Sequence, residues 1–244
     1  MPSKLTIALV LLILTTPVLA LAQTQPATRP AGVDDATWQK MLQIDQKGAS
    51  ITDLSADFEQ QKITAMLKKP LVSNGRVFVR GAAMLWDTTK PEPNVLQITS
   101  REARIYYPPQ KIIEVYPIEQ KLGELAASPL PRLATLQQHF AFEPLPLAEM
   151  GEKISGGDGR YLALKMTPTN PALREHVEQV RVLLDSSSGL IVRLEMRDAD
   201  GDRTLLTFSN PKINAGLKEQ DLEIKAPPDV KVTHPLGALE GSSR

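Results

Sequence analysis

Apolar and polar residues alternate with a period of two along most of this chain, the pattern of β-strands with one buried face. The alternation is densest in residues 74–117, NGRVFVRGAAMLWDTTKPEPNVLQITSREARIYYPPQKIIEVYP. Breaks at Asn74-Gly75, Gly81-Ala82, residues 91–93, Arg101-Glu102 and Pro108-Pro109 divide it into four or five short strands. Loops of a few residues between them imply antiparallel neighbours. Phe78, Met84, Trp86, Leu96, Ile98, Ile105, Tyr107, Ile113 and Val115 supply the large apolar side chains. So apolar a face needs a cover of helices, a second sheet or a guest molecule, and the expectation is that the cover is partly a guest. Arg80 shares the alternate face of Phe78. It is either a polar latch or head-group contact inside an apolar hollow, or a strand-end arginine reaching water, and the alternation supports both equally.

The period changes elsewhere. Residues 34–48 are helical in spacing, with Asp34 or Asp35 as cap, Trp38, Met41 and Leu42 as an apolar stripe, and Gly48 as the stop. Residues 53–63 (DLSADFEQQKI) alternate again and give a first strand that carries Phe58. Helix is expected over 119–127 and over 131–140, where Pro131 suits a first helical position and Leu133, Leu136 and Phe140 share a face. Residues 142–154 (FEPLPLAEMGEKI) read as irregular or a short helical turn. Then GRYLALKMTP, VEQVRVLLDS, LIVRLEMRD and DRTLLTFSNPKI are strands, separated by turns at 156–159, 187–189 and 200–201, with a short helical turn within 168–175. A last short strand is expected in DLEIKAPPDVKV. The sum is a mainly β, α+β chain: ten or eleven strands in one meandering antiparallel sheet with three short helical segments. A sheet that long curls.

Composition narrows the setting. There is no cysteine among the 244 residues, which removes disulfides, thiol nucleophiles, cysteine-ligated metals and a lipid-modified cysteine. Residues 1–22 have the three parts of a secretory signal peptide: Lys4, an apolar core over 5–14, and Ala20-Leu21-Ala22 as the cleavage site. The apolar run is about half of the roughly 20 residues a spanning helix needs. The expected layout is a signal peptide at 1–22 cleaved near Ala22, a flexible linker at 23–33, one domain at 34–233 and a flexible tail at 234–244. Without its first 22 residues the chain has a net charge of −1, which gives no support for nucleic-acid binding.

The candidate chemistry is sparse. His139, His176 and His234 are isolated, without paired ligand spacing. Residues 198–202 (DADGD) resemble the opening of a calcium loop, but the glycine comes at position four, and a DG hairpin turn accounts for them. Residues 209–212 (SNPK) fit a Ser-x-x-Lys string that Pro211 keeps from forming the helical turn that chemistry needs; they are a strand end. No P-loop, dinucleotide-binding glycine pattern or G-x-S-x-G occurs. Neither a cofactor nor a metal is expected.

Several stretches together resemble one family. LSADFEQQ (54–61), NGRVFVRGAAMLWDTTKP (74–91), IYYPPQKIIEVY (105–116) and LLTFSNPKINAGLKEQDLEIKAPPDVKV (205–232) are similar in order and spacing to LolA, the soluble periplasmic carrier of outer-membrane lipoproteins, and its relatives. The resemblance covers residues 34–233. It implies an incomplete, open antiparallel β-barrel of about eleven strands lidded by short helices, the LolA/LolB-like fold, with an apolar hollow for acyl chains. By position, Arg80 matches the family's arginine, which bonds lid-helix carbonyls; Met84 falls where the family has an apolar residue that receives cargo; Trp86 matches its tryptophan. Gly81, Leu85 and Arg101-Glu102 depart from the family pattern. The implied function is that of a monomeric, non-enzymatic periplasmic carrier. It takes lipoprotein or lipid acyl chains from an inner-membrane lipoprotein-releasing transporter to an outer-membrane acceptor. Phe58, Phe78, Arg80, Met84, Trp86, Leu96, Ile98, Ile105 and Tyr107 are its candidate ligand-binding residues. Its rivals are a module of the same fold that binds another amphiphile or senses the envelope, and a lipid-acting enzyme, for which no nucleophile-base pair is located.

Overall fold

The computed structural model describes residues 28–117, 129–130, 132–151 and 157–235. The sheet grows in both directions from strand β1 (Asp53–Ile63), which has the bounds its alternation predicts. On one side follow β2 (Leu71–Arg80), β3 (Ala83–Lys90), β4 (Asn94–Ile98), β5 (Glu102–Tyr107) and β6 (Ile112–Pro117). On the other lie, in spatial order, β11 (Arg203–Ile213), β10 (Leu190–Asp198), β9 (Val177–Asp185), β8 (Tyr161–Pro168) and β7 (Phe140–Leu145). A short β12 (Lys231–Thr233) borders β6, so β12 and β7 are the two free edges and the sheet is open, with twelve strands where about eleven were expected. Every pairing is antiparallel except β12 with β6, which is parallel because residues 214–230 carry the chain back across the sheet before it pairs.

Helix α1 (Asp35–Ala49) starts as its sequence dictates: the Asp34 carboxylate accepts from the Thr37 N–H at 2.8 Å and from its hydroxyl at 2.8 Å. Trp38, Met41, Ile44 and Gly48 form its buried stripe, with Leu42 only partly buried. Val33 is 2% exposed, so the packed chain begins before the expected boundary at residue 34. A five-residue α2 (Leu133–Gln137) replaces the longer helix expected over 131–140, because Phe140 already belongs to β7. Residues 142–145, expected to be irregular or a short helical turn, complete β7, and Pro144 fits there because β7 is an edge, where a proline costs no ladder bond. Gly157–Arg160 and Pro171–Arg174 are single helical turns, α3 and α4. The expected signal peptide at 1–22, the helix over 119–127, Pro131 and most of the 234–244 tail lie outside the described residues.

Asn74-Gly75 is not a turn; β2 continues through it, with a shift in its register against β3 at that point. A Cβ on Gly75 would stand 2.0 Å from the Asp87 carbonyl oxygen and 2.9 Å from the Phe58 ring, so glycine marks a close approach of backbones. Gly81-Ala82 and Asp200-Gly201 are true tight turns, with φ of +58° and +87° at their glycines.

The two faces of the sheet have separate cores. The concave one joins α1 and α2 to every strand from β1 to β4 and from β7 to β11. On the convex one, the segment after β11 packs Ile224, Ala226 and Val230 against Tyr106, Ile113 and Val115. Met150 likewise covers Ala163 and Leu183.

Candidate ligand-binding site

Alternation in β1 sends Leu54, Ala56 and Phe58 to the concave face, and strand register carries that face across the sheet. Val77 lies opposite Ala56 and Trp86, and Val79 opposite Leu54 and Met84. Leu96 and Ile98 then pair with Trp86 and Met84, and Ile105 pairs with Leu96. Phe58, Met84, Trp86 and Ile98 are buried there, whereas Leu96, Ile105 and Tyr107 are half-buried toward β6. The Trp86 ring is at the centre of an aromatic row, 4.8 Å edge-on from Phe58 and 5.9 Å from Phe208.

Phe78 and Arg80 do share a face, but it is the convex one, which corrects the expectation that they point at the apolar hollow. In β2 the core positions are Val77 and Val79, so the intervening residues turn away. Phe78 lies opposite Leu85, with the Arg76 guanidinium 5.1 Å from its ring centre. Arg80 is exposed and donates to a carbonyl oxygen, as the resemblance implies, but the carbonyl is that of Leu217 at 2.7 Å and not one of a lid helix. Asp53 beside it accepts from the Ala215 N–H at 2.9 Å, and Gln97 donates to the Leu222 carbonyl at 2.7 Å. Together these groups strap the C-terminal segment onto the convex face.

Sequence reasoning missed two polar groups on the concave side. On β6 the Tyr116 hydroxyl donates to Glu114 at 2.8 Å. Burial first, and then the Glu114 carboxylate, push the Tyr107 phenol up; the hydrogen bond to Glu114 pushes up that of Tyr116. The second group is Asp45, whose carboxylate accepts from the Leu133 N–H at 2.7 Å and so caps α2 from α1. Asp45 occurs in the α1 spacing only as a helical position; nothing local to it announces a partner 88 residues away.

The lid is thus a two-helix unit, and Arg132 adds a bond to the Gly48 carbonyl at 3.3 Å. It is tied to the sheet by Lys40 to the Tyr161 carbonyl and Lys47 to the Ser186 carbonyl, both at 2.7 Å, and by its apolar stripe. Under it lies an apolar cavity of about 30 Å³, lined by Met41, Ile44, Leu133, Leu136, Phe142, Leu164, Met166, Val182, Leu184 and Ile191, with Asp45 at its wall. Ligand cavities run to hundreds of Å³. The hollow expected to stand vacant is filled by the lid's own side chains.

The family described as "Outer membrane lipoprotein carrier protein LolA" matches residues 49–224. No curated protein sequence matches the chain. Among solved structures, an uncharacterized conserved protein from Thermus thermophilus superposes with a TM-score of 0.51 at 14% identity, over 81% of this chain and 99% of its own. MucB gives 0.48 at 12% identity, over 79% and 64%. The lipoprotein LppX of Mycobacterium tuberculosis gives 0.47 at 13% identity, over 76% and 99%.

Proposed function

The chain belongs to the LolA family, and from that premise we propose that it is an exported, non-enzymatic periplasmic carrier that shelters acyl chains of lipoproteins, or of a related lipid, between sheet and lid. An inner-membrane transporter would load it and an outer-membrane acceptor would receive its cargo. The observation that supports this most directly is the concave apolar face closed by a two-helix lid, with Trp38, Met41 and Ile44 pressed into the place a guest would take.

Magnitudes favour exchange. Each lid side chain buried is worth about 1.5–3 kcal/mol, and each acyl methylene about 0.8 kcal/mol. Six to eleven methylenes, roughly, replace what three lid residues give up on leaving the sheet. A long acyl chain therefore displaces the lid, and the returning lid helps expel the chain at its destination. Phe58, Met84, Trp86 and Ile98 would line the opened hollow, and Leu96, Ile105 and Tyr107 its rim near β6. Phe78 and Arg80, on the convex side, would stand away from cargo in this reading.

Lipid extraction of the protein purified from the cell envelope, followed by mass spectrometry, tests the proposal. Acyl-bearing molecules at near-equal stoichiometry are expected. A protein that carries none, and takes up no acylated peptide in solution, would be something other than a carrier.

A further inference from the structure

The hairpin joining β1 and β2 ends in apolar side chains that nothing described in the fold covers. Strand β3 stops at Lys90, opposite Asn74, so residues 71–73 of β2 run on past it by about 10 Å at roughly 3.3 Å per residue. Beyond them the chain turns at residues 64–70, where the Leu67 N–H donates to the Thr64 carbonyl at 3.3 Å. Met66 is 93% exposed, Leu71 53%, Leu67 45% and Val72 42%. Only Ile213 and Val232 join them as exposed large apolar residues among those described, so this is one cluster and not a scatter.

The charge of the hairpin itself has one sign, and the nearest acids in register belong to the 198–202 turn, because Ile63 pairs with Arg203. Lys62, Lys68 and Lys69 are exposed, form no ion pair among the described residues, and have no acid beside them in residues 60–73. A second copy of the hairpin would set lysine against lysine. Residues 1–27 hold Lys4 and no acid, so that part of the chain offers no counter-charge either. A surface that is anionic outside and apolar just beneath satisfies both features at once, and that is a bilayer bearing acidic phospholipids. We propose that the β1–β2 hairpin tip is a membrane-docking element, with Met66 and Leu67 entering the head-group boundary and the lysines lying on lipid phosphates. The inference goes beyond the carrier reading, because vesicle binding reports it whether or not the hollow takes acyl chains.

A full-length Met66→Trp variant provides the test, since Trp38 and Trp86 are buried at 7% and 9% exposure and the tip indole responds to its surroundings. With vesicles of phosphatidylethanolamine and phosphatidylglycerol, a blue shift and quenching by brominated acyl chains are expected. Phosphatidylcholine vesicles, or Lys68→Glu/Lys69→Glu added to the same chain, should weaken binding by about tenfold or more. Met66→Asp/Leu67→Asp should lose vesicle co-sedimentation while keeping the parent's melting temperature. Parent and variants share residues 1–27, so the difference between them reads the tip. Equal binding to phosphatidylcholine, undiminished binding by the lysine-reversed chain, or an unquenched tip indole would each overturn the proposal.

Discussion

Asp45 faces an apolar cavity with its carboxylate on the first N–H of α2, and with the Arg132 bond to the Gly48 carbonyl it ties the two lid helices together. Asp45→Ala leaves that N–H without an acceptor, which should cost about 0.5–2 kcal/mol of stability in urea unfolding. Uptake of a fluorescent fatty acid should become faster as the lid loosens; an unchanged uptake rate would mean the lid does not open about this contact. Arg80 lies on the other side of the sheet. Arg80→Leu loses one exposed bond to Leu217, a loss of about 0.5–1.5 kcal/mol at most, and should leave acyl uptake at the parent rate. Asp185 is a third kind of residue. Burial pushes its carboxyl up, but hydrogen bonds from the Arg160 guanidinium and from the Ser187 hydroxyl and N–H outweigh that and hold it well below the usual carboxylate range. A depressed folded-state value stabilises the protein above the unfolded value near 3.8, and the gain is lost as pH falls below it. Asp185→Asn should therefore flatten the acid limb of a melting-temperature profile below about pH 4.

At the scale of elements, the β9–β10 hairpin and the end of α1 fit one another. Gly189 has φ +78°, and a Cβ there would stand 2.8 Å from the Gly48 backbone nitrogen and 2.8 Å from the Lys47 Cβ. Lys47 meanwhile bonds the Ser186 carbonyl of the same hairpin. Gly189→Ala is expected to destabilise by about 1–3 kcal/mol in denaturant and to shift α1 off the hairpin, seen as loss of amide-exchange protection in residues 44–49. Strand β7 shows how element assignment fails locally. Phe140 falls on a helix face with Leu133 and Leu136 by spacing, yet it and Phe142 alternate as buried positions of an edge strand that tolerates Pro144.

For the whole molecule, the filled hollow means that bound acyl chain and closed lid compete for one apolar surface. A ligand that binds only the folded chain adds stability by mass action, about 2.7 kcal/mol at a hundredfold excess over Kd. For a domain of this size that raises the melting temperature by about 5–10 °C. Calorimetry with an acylated peptide should show the rise, and the unacylated peptide should show none. Among the described residues no helix is long and apolar enough to cross a membrane.

Most strand positions other than β7, the α1 cap with Trp38 and Met41 of its stripe, and the apolar face of β1, β3 and β4 were determined by the sequence itself, because period-two alternation and Asp34 capping are local properties of neighbouring residues. Tertiary structure alone decided which side of β2 meets the lid. Register with Ala56 and Trp86 makes Val77 and Val79 the core positions, and their small β-branched side chains gave way to Phe78 in any ranking by size. It also decided the partner of Asp45 and the strap that takes Arg80. Contacts between residues 88 and 137 positions apart depend on where the chain returns, and no local pattern records that.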